Sequence, residues 1–162
     1  MTEDVKIEYR AKGKVAGLAA MTSEQANEQY LSWLNSSGVF ESLESLRRPM
    51  SVEQLRDYVV RTMADPSNCF FAVHLLETDK FVGTIKISGI EPTAGIGYVG
   101  LVVGDRAARG LGVGKEIVGL VTEYAFHHLN LRKLCAGVAD SNTASLQCFL
   151  SNGYFEEARR RD

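Results

Sequence analysis

The chain has 162 residues, 45% of them hydrophobic, which is the size of one domain with a core of its own, spanning residues 1–162. Eighteen basic side chains against 20 acidic ones leave a net charge of -2, a balance that argues against nucleic acid or an anionic membrane as partner. Cys69, Cys135 and Cys148 lack metal-ligand spacing and read as reduced, buried thiols, while "MTEDVKIEYR" has no apolar signal core. The expectation is a cytoplasmic protein without a metal site.

A short strand is expected around Val5 to Tyr9. In "TSEQANEQYLSWLN", Thr22 and Gln25 form a capping box and Ala26, Tyr30, Leu31 and Leu34 follow at helical spacing. "SVEQLRDYVVRTM" repeats the device with Ser51 and Gln54, and Val52, Leu55, Val59 and Met63 line one face until Pro66. The intervening "NSSGVFESLESLRRP" reads as a loop. "CFFAVHLL" and "FVGTIKISGI", joined by "ETDK", read as a hairpin, and "IGYVGLVV" as a central strand apolar on both faces. "KEIVGLVTEYAFHHLN" carries Ile117, Leu120, Val121, Tyr124, Ala125 and Leu129 on one stripe. "KLCAGVA" then reads as a strand and "TASLQCFLSN" as a helix with Gly153 as its C-cap, which makes a mixed α/β domain.

Between the third of these strands and its helix lies "RGLGVGKE". Glycines let a backbone approach a ligand, and the free N–H groups of a helix's first turn, with the dipole behind them, attract an anion. Phosphate is the expected guest. Gly110, Gly112 and Gly114 do not complete a dinucleotide fingerprint, because Lys115 stands where its last glycine would be. A nucleotide P-loop would need a glycine and a hydroxyl where Arg109 and Glu116 stand.

Arg109-x-x-Gly112-x-Gly114 resembles the R/Q-x-x-G-x-G/A signature of the GNAT superfamily of N-acetyltransferases. A second match follows in "NTASLQCFLSNGY", where Asn142, Ser145, Phe149, Gly153 and Tyr154 fill the superfamily's spacing. "WLN", "VVGDRAARGLGVG" and "YAFHHLNLRKL" look most like the branch that includes ribosomal-protein alanine acetyltransferases and acetyltransferases of nucleotide-linked amino sugars. The resemblance covers roughly Ala16 to Ala158. It implies a three-layer α/β/α sandwich around a mixed, largely antiparallel sheet. It also implies acetyl-coenzyme A as co-substrate and a primary amine, small or peptidic, as acceptor. Backbone groups of Leu101 and Val103 would hold the pantetheine arm. Amides of Gly110, Leu111, Gly112, Val113, Gly114 and Lys115, with Arg109 adding charge, would hold the phosphates, and Asn142 the pantetheine or its sulfur end. Trp33 and Asn35 end the first helix, in the region that walls the acceptor pocket in related proteins, although core packing is the simpler reading for Trp33.

The chain departs from the family in places. Phe149 stands where many relatives have a tyrosine whose hydroxyl can protonate the departing thiolate, so that role passes to Ser145 or to water. A thiol with a pKa near ~8.5 can also leave unprotonated. For the base the strand offers Tyr98, with Glu91 through a water chain as an alternative. His74, His127 and His128 read as structural. Cys148 has no histidine near it in sequence to activate it. After Gly153 the family pattern would add two more strands, so the sheet is expected to be incomplete at its last edge, and a homodimer is among the states that would cover it. The leading reading is an enzyme that transfers acetyl by direct attack in a ternary complex. The alternative is a catalytically weak coenzyme A-binding or sensing module.

Overall fold

The computed structural model describes residues 6–36 and 50–160. In chain order its elements are β1 (Tyr9–Lys12), β2 (Ala16–Ala20), α1 (Glu28–Asn35), α2 (Val52–Ala64), β3 (Cys69–Leu75), β4 (Phe81–Glu91), β5 (Ile96–Val103), α3 (Val113–His127), β6 (Lys133–Cys135) and α4 (Thr143–Leu150). Among the described residues the sheet has six strands in the order β1 to β6. Neighbours run antiparallel except β5 and β6, which are parallel because α3 crosses between them.

Each face of the sheet carries its own core. On one, Leu18, Phe71, Val73, Ile85 and Val99 meet Val113, Ile117 and Val121 of α3 and Phe149 of α4. On the other, Tyr30, Trp33 and Leu34 of α1 and Leu55 and Val59 of α2 cover Phe70 and Ala72. This is the expected three-layer α/β/α arrangement around a mixed, mostly antiparallel sheet. Burying one such branched or aromatic side chain stabilises by about 1.5–3 kcal/mol, so both helical layers are held by packing rather than by propensity.

Several local expectations change. The first strand runs from Tyr9 to Lys12, while Val5 lies outside the described residues. "AGLAA" forms β2, which its small side chains do not signal; it is buried between β1 and β3, and a Cβ on Gly17 would lie 2.5 Å from the Tyr9 ring. Gln25 does accept the Thr22 amide at 2.8 Å, yet this box closes only a 3-10 turn; α1 restarts after Asn27, whose Oδ1 accepts the Tyr30 amide at 3.0 Å. Ser51 and Gln54 cap α2 as read, but its buried stripe passes through Leu55, Val59 and Thr62, which turns Met63 outward. Most of the segment read as a loop between these helices lies outside the described residues.

β5 lies inside the sheet, between β4 and β6, but it is not buried on both faces. The helices on the α1–α2 side pack over β3 and leave Tyr98 and Gly100 exposed. β6 stops at Cys135, where its ladder with β5 ends, so only the first part of "KLCAGVA" is a strand. Gly153, at φ +85°, closes α4 as expected: its amide donates to Leu150 and that of Tyr154 donates to Phe149, each at 3.2 Å. Among the described residues no strand follows β6, and no helix is long and apolar enough to cross a membrane.

The turn between β1 and β2 is tied to α3 by one side chain. The Glu116 carboxylate accepts the amides of Lys14 at 2.6 Å, Val15 at 2.9 Å and Ala16 at 2.7 Å. Gly13 leaves room for it, since a Cβ there would fall 2.3 Å from Glu116 Cδ. Amides bonded to a charged acceptor each contribute about 1.5–3 kcal/mol, and leaving them half-paired is costly. Glu116→Gln keeps one acceptor oxygen and turns an NH2 group on the remaining donors. It should lower stability by about 2–4 kcal/mol, seen as a lower urea midpoint with an unchanged slope.

Candidate active site

Strand β5 outlasts its neighbour. The parallel ladder pairs Ile96 with Lys133, Gly97 with Leu134 and Tyr98 with Cys135, and then stops while β5 continues to Val103. Gly104 donates to Val82 of β4 at 3.1 Å. Because peptide groups alternate in direction along a strand, those of Val103 and Leu101 point to the opposite edge, where β6 has ended. Two residues named from the sequence therefore offer backbone donors and acceptors to an open wedge between strands.

At the carboxyl end of β5 the chain makes a 3-10 turn at Arg106–Ala108, capped by Asp105, whose Oδ1 accepts the Ala107 amide at 2.8 Å. Arg109 and Leu111 are exposed in the loop that follows. Gly110 and Gly112 both have φ +74°, a left-handed conformation that a side chain would strain, and nothing lies within 4 Å of where a Cβ would stand. The first intrahelical bond of α3 runs from Glu116 to Gly112 at 3.1 Å. That leaves the amides of Gly112, Val113, Gly114 and Lys115 without an intrahelical acceptor, beside glycines that keep the approach clear. Glu116, the acidic residue of this first turn, has its carboxylate folded away onto the β1–β2 turn. The positive end of the helix is thus left to a ligand.

Gly114 has a different task. A Cβ on it would lie 2.8 Å from the Cys148 sulfur of α4, so the residue permits close contact between two helices. Asn152 fastens the same contact by donating to Lys115 C=O at 2.9 Å and Cys148 C=O at 2.8 Å. Asn142 is the N-cap of α4, its Oδ1 accepting the Ser145 amide at 3.1 Å, which leaves its NH2 group available. The Ser145 residue is half-buried. Phe149 is buried and packs edge-to-face on Tyr154, with centroids 5.1 Å apart. Thr122 donates to Val118, so its oxygen accepts the Tyr154 hydroxyl at 2.8 Å and commits that proton inside the fold. Burial raises the pKa of both the Tyr154 hydroxyl and the Cys148 thiol above their ordinary values.

On the other side of the sheet, Tyr98 is 53% exposed and Glu91 ends β4 in solvent. Trp33 is buried with Tyr30 and Phe81 and covers Gly104, where an added Cβ would meet its ring at 2.1 Å. Trp33 therefore underlies the start of the loop, while Asn35 is exposed at the end of α1. His74 is buried on β3. Its Nδ1–H donates to Asp79 C=O at 3.0 Å and its Nε2 accepts the Gln25 amide at 3.3 Å, one neutral tautomer with both nitrogens satisfied. His128 stacks on Tyr124 at 4.8 Å. Among the described residues no group of His, Cys, Asp or Glu gathers as for a metal ion. Asp105, Glu116 and Asn152 were not legible as site residues, because their partners lie far away in the chain and no local pattern marks them.

Residues 16–154 match the family described as Acetyltransferase (GNAT) domain. Among curated proteins the chain is 35% identical to "Probable N-acetyltransferase YjcK" of Bacillus subtilis over 95 residues, 56% of this chain and 50% of that protein. It is 32% identical to "Uncharacterized N-acetyltransferase p20" of Bacillus licheniformis over 92 residues, 57% of this chain and 51% of the other. The chain thus spans about half the length of the curated relatives it matches. The spermidine N-acetyltransferase of Vibrio cholerae in complex with CoA and spermine shares its fold at a TM-score of 0.78 and 17% identity, over 88% of this chain and 82% of that one. A GNAT-family acetyltransferase of Bacillus anthracis does so at 0.76 and 18%, over 94% and 84%. With the family match running from β2 through the turn that closes α4, over the wedge and the glycine loop alike, the chain belongs to the GNAT acetyltransferase family.

Proposed function

We propose that this chain transfers an acetyl group from acetyl-coenzyme A to a primary amine, by direct attack within a ternary complex. One juxtaposition supports this most: the β5 edge left open beyond Tyr98 leads into a glycine loop that ends in the free amides of α3. The coenzyme would supply a thioester carbonyl activated for acyl transfer and a diphosphate by which to be held. Amides from Gly110 to Lys115 suit the diphosphate, with Arg109 adding charge, and Leu101 and Val103 suit the amide groups of the pantetheine arm. Fixed N–H donors at the wedge also suit a carbonyl oxygen that gains negative charge under attack, a contribution of several kcal/mol in comparable sites. Holding amine and thioester in register supplies much of the rest.

Tyr98, exposed on β5, suits taking or relaying the amine proton, and the half-buried Ser145 hydroxyl suits steadying the departing sulfur, with Phe149 a packing neighbour. Trp33 and Asn35 fall on the acceptor side of the sheet. A protein of the same fold held in complex with spermine supports a primary amine as acceptor, and the sequence resemblance around α3 supports a protein N-terminus or an amino sugar. We assign the chain to the cytoplasm, as one acyltransferase domain, with a homodimer as its assembly. The second reading is a coenzyme A-binding module without turnover. It is supported by Phe149, which has no proton to give, beside Tyr154, whose proton is committed to Thr122.

Thiol release from acetyl-coenzyme A separates the two readings. With a panel of peptides bearing free N-termini, nucleotide-linked amino sugars and spermine, at least one acceptor should raise the rate of thiol release well above the rate without amine. Binding of coenzyme A without acceptor-dependent release would establish the module instead.

The glycine loop makes a second prediction. Gly112→Val forces a left-handed residue into a conformation branched side chains resist, and sets carbon in the clear approach to the α3 amides. Steady-state kinetics should show the Michaelis constant for acetyl-coenzyme A rising at least about tenfold while that for the amine stays within about twofold.

Cys148 is held against Gly114, and its thiol is pushed up in pKa by burial. A thiol so placed is a poor nucleophile. Cys148→Ala should keep most turnover and leave sequential kinetics intact. An acetylated Cys148 peptide in the mass spectrum, with ping-pong kinetics, would overturn direct attack.

A further inference from the structure

Asp105 is a buried carboxylate for which acetyl transfer has no direct use. It is 8% exposed and stands where β5 gives way to the loop. Its Oδ1 accepts the Ala107 amide at 2.8 Å, its Oδ2 accepts Gln29 Nε2 at 2.8 Å, and Lys80 Nζ lies 3.4 Å from the same oxygen. Those partners belong to the loop itself, to α1 and to the turn before β4. One residue earlier, Gly104 lies under the Trp33 ring of the same helix α1. A polar and an apolar contact on consecutive residues therefore pin the root of the loop to α1. Beyond that root the loop is held by its own turn, in which Ala108 donates to Asp105 C=O and Arg109 to Arg106 C=O, both at 3.1 Å.

A negative charge so near in sequence to a diphosphate loop ought to weaken the binding of a phosphate, since like charges repel. Here the charge is turned inward and met by Gln29, Lys80 and the Ala107 amide. We infer that Asp105 is a positioning residue for the coenzyme loop, and that Gln29, on the helix of the acceptor side, sets coenzyme affinity through it. This rests on the acetyl-transfer reading for the identity of the ligand.

Charge and position predict opposite signs, and this makes the inference testable. If Asp105 acts on phosphates only through its field, Asp105→Asn removes a repulsion and coenzyme A binds more tightly. If it holds the loop, the same change sets an NH2 group against Gln29 and Lys80, and binding weakens. The measurement is calorimetric titration of coenzyme A into the parent, Asp105→Asn and Gln29→Leu, with melting curves to confirm folding. We expect the dissociation constant to rise about tenfold for Asp105→Asn and about threefold for Gln29→Leu, on the scale of a lost charge-assisted hydrogen bond. The Michaelis constant for acetyl-coenzyme A should rise in step, while kcat and the constant for the amine stay within about twofold. Folded variants that bind coenzyme A as tightly as the parent, or more tightly, overturn the inference. Should Asp105→Asn fail to fold, Gln29→Leu decides alone, because it leaves the charge in place. A parent that binds no coenzyme A overturns the acetyl-transfer reading and this inference together, an outcome distinct from normal parent binding with unchanged variants.

Discussion

A strand that loses its neighbour partway along must find other partners for its backbone groups, and β5 reaches that point at Tyr98. The surrounding architecture answers this constraint. Because β6 runs parallel to β5, the connection between them has to be a crossover, and α3 supplies it. A crossover helix that follows the carboxyl end of a strand brings its own unpaired amides close to the strand's unpaired edge. Two sets of unsatisfied donors, one from a sheet and one from a helix, therefore meet at one opening. Sites at the carboxyl ends of strands arise in other α/β sheets for the same reason.

Electrostatics then decide whether that opening welcomes an anion. Two acidic residues bracket the loop, Asp105 before it and Glu116 after it, and either would compete with a phosphate if it faced the opening. Neither does. Asp105 is engaged by Gln29, Lys80 and Ala107, and Glu116 by three consecutive amides of the β1–β2 turn. Each carboxylate satisfies donors that the fold would otherwise leave unpaired, and each fastens the loop to a different neighbour. Stability and an uncontested helix terminus thus come from the same bonds.

Much of this was legible in the sequence. Capping residues at α2, aromatic and β-branched residues in β3 and β4, and the glycine spacing before α3 each carry a local pattern, and the structure follows them. What escaped has a common cause. β2 is made of small residues that say nothing until Tyr9 and β3 enclose them, and Thr22 caps only a turn because Asn27 offers a better start to the helix. The exposure of Tyr98 depends on where α1 and α2 end, which no pattern within β5 records. Asp105, Glu116 and Asn152 take their roles from partners on other elements, so their meaning is tertiary. The candidate site divides in the same way: its backbone parts were readable, its supporting side chains were not.

The three glycines of the loop are not interchangeable. Gly110 and Gly112 are constrained by backbone angle and face open space, whereas Gly114 lies inside a helix and is constrained by the volume of Cys148. The last of them therefore forms a size pair with a residue 34 positions away. Sequences of this fold that enlarge position 114 to alanine should compensate at position 148 with a smaller side chain, while changes at positions 110 and 112 have no such partner. Drift at the α3–α4 contact would then appear as correlated substitution, and drift in the preceding turn as selection for glycine alone.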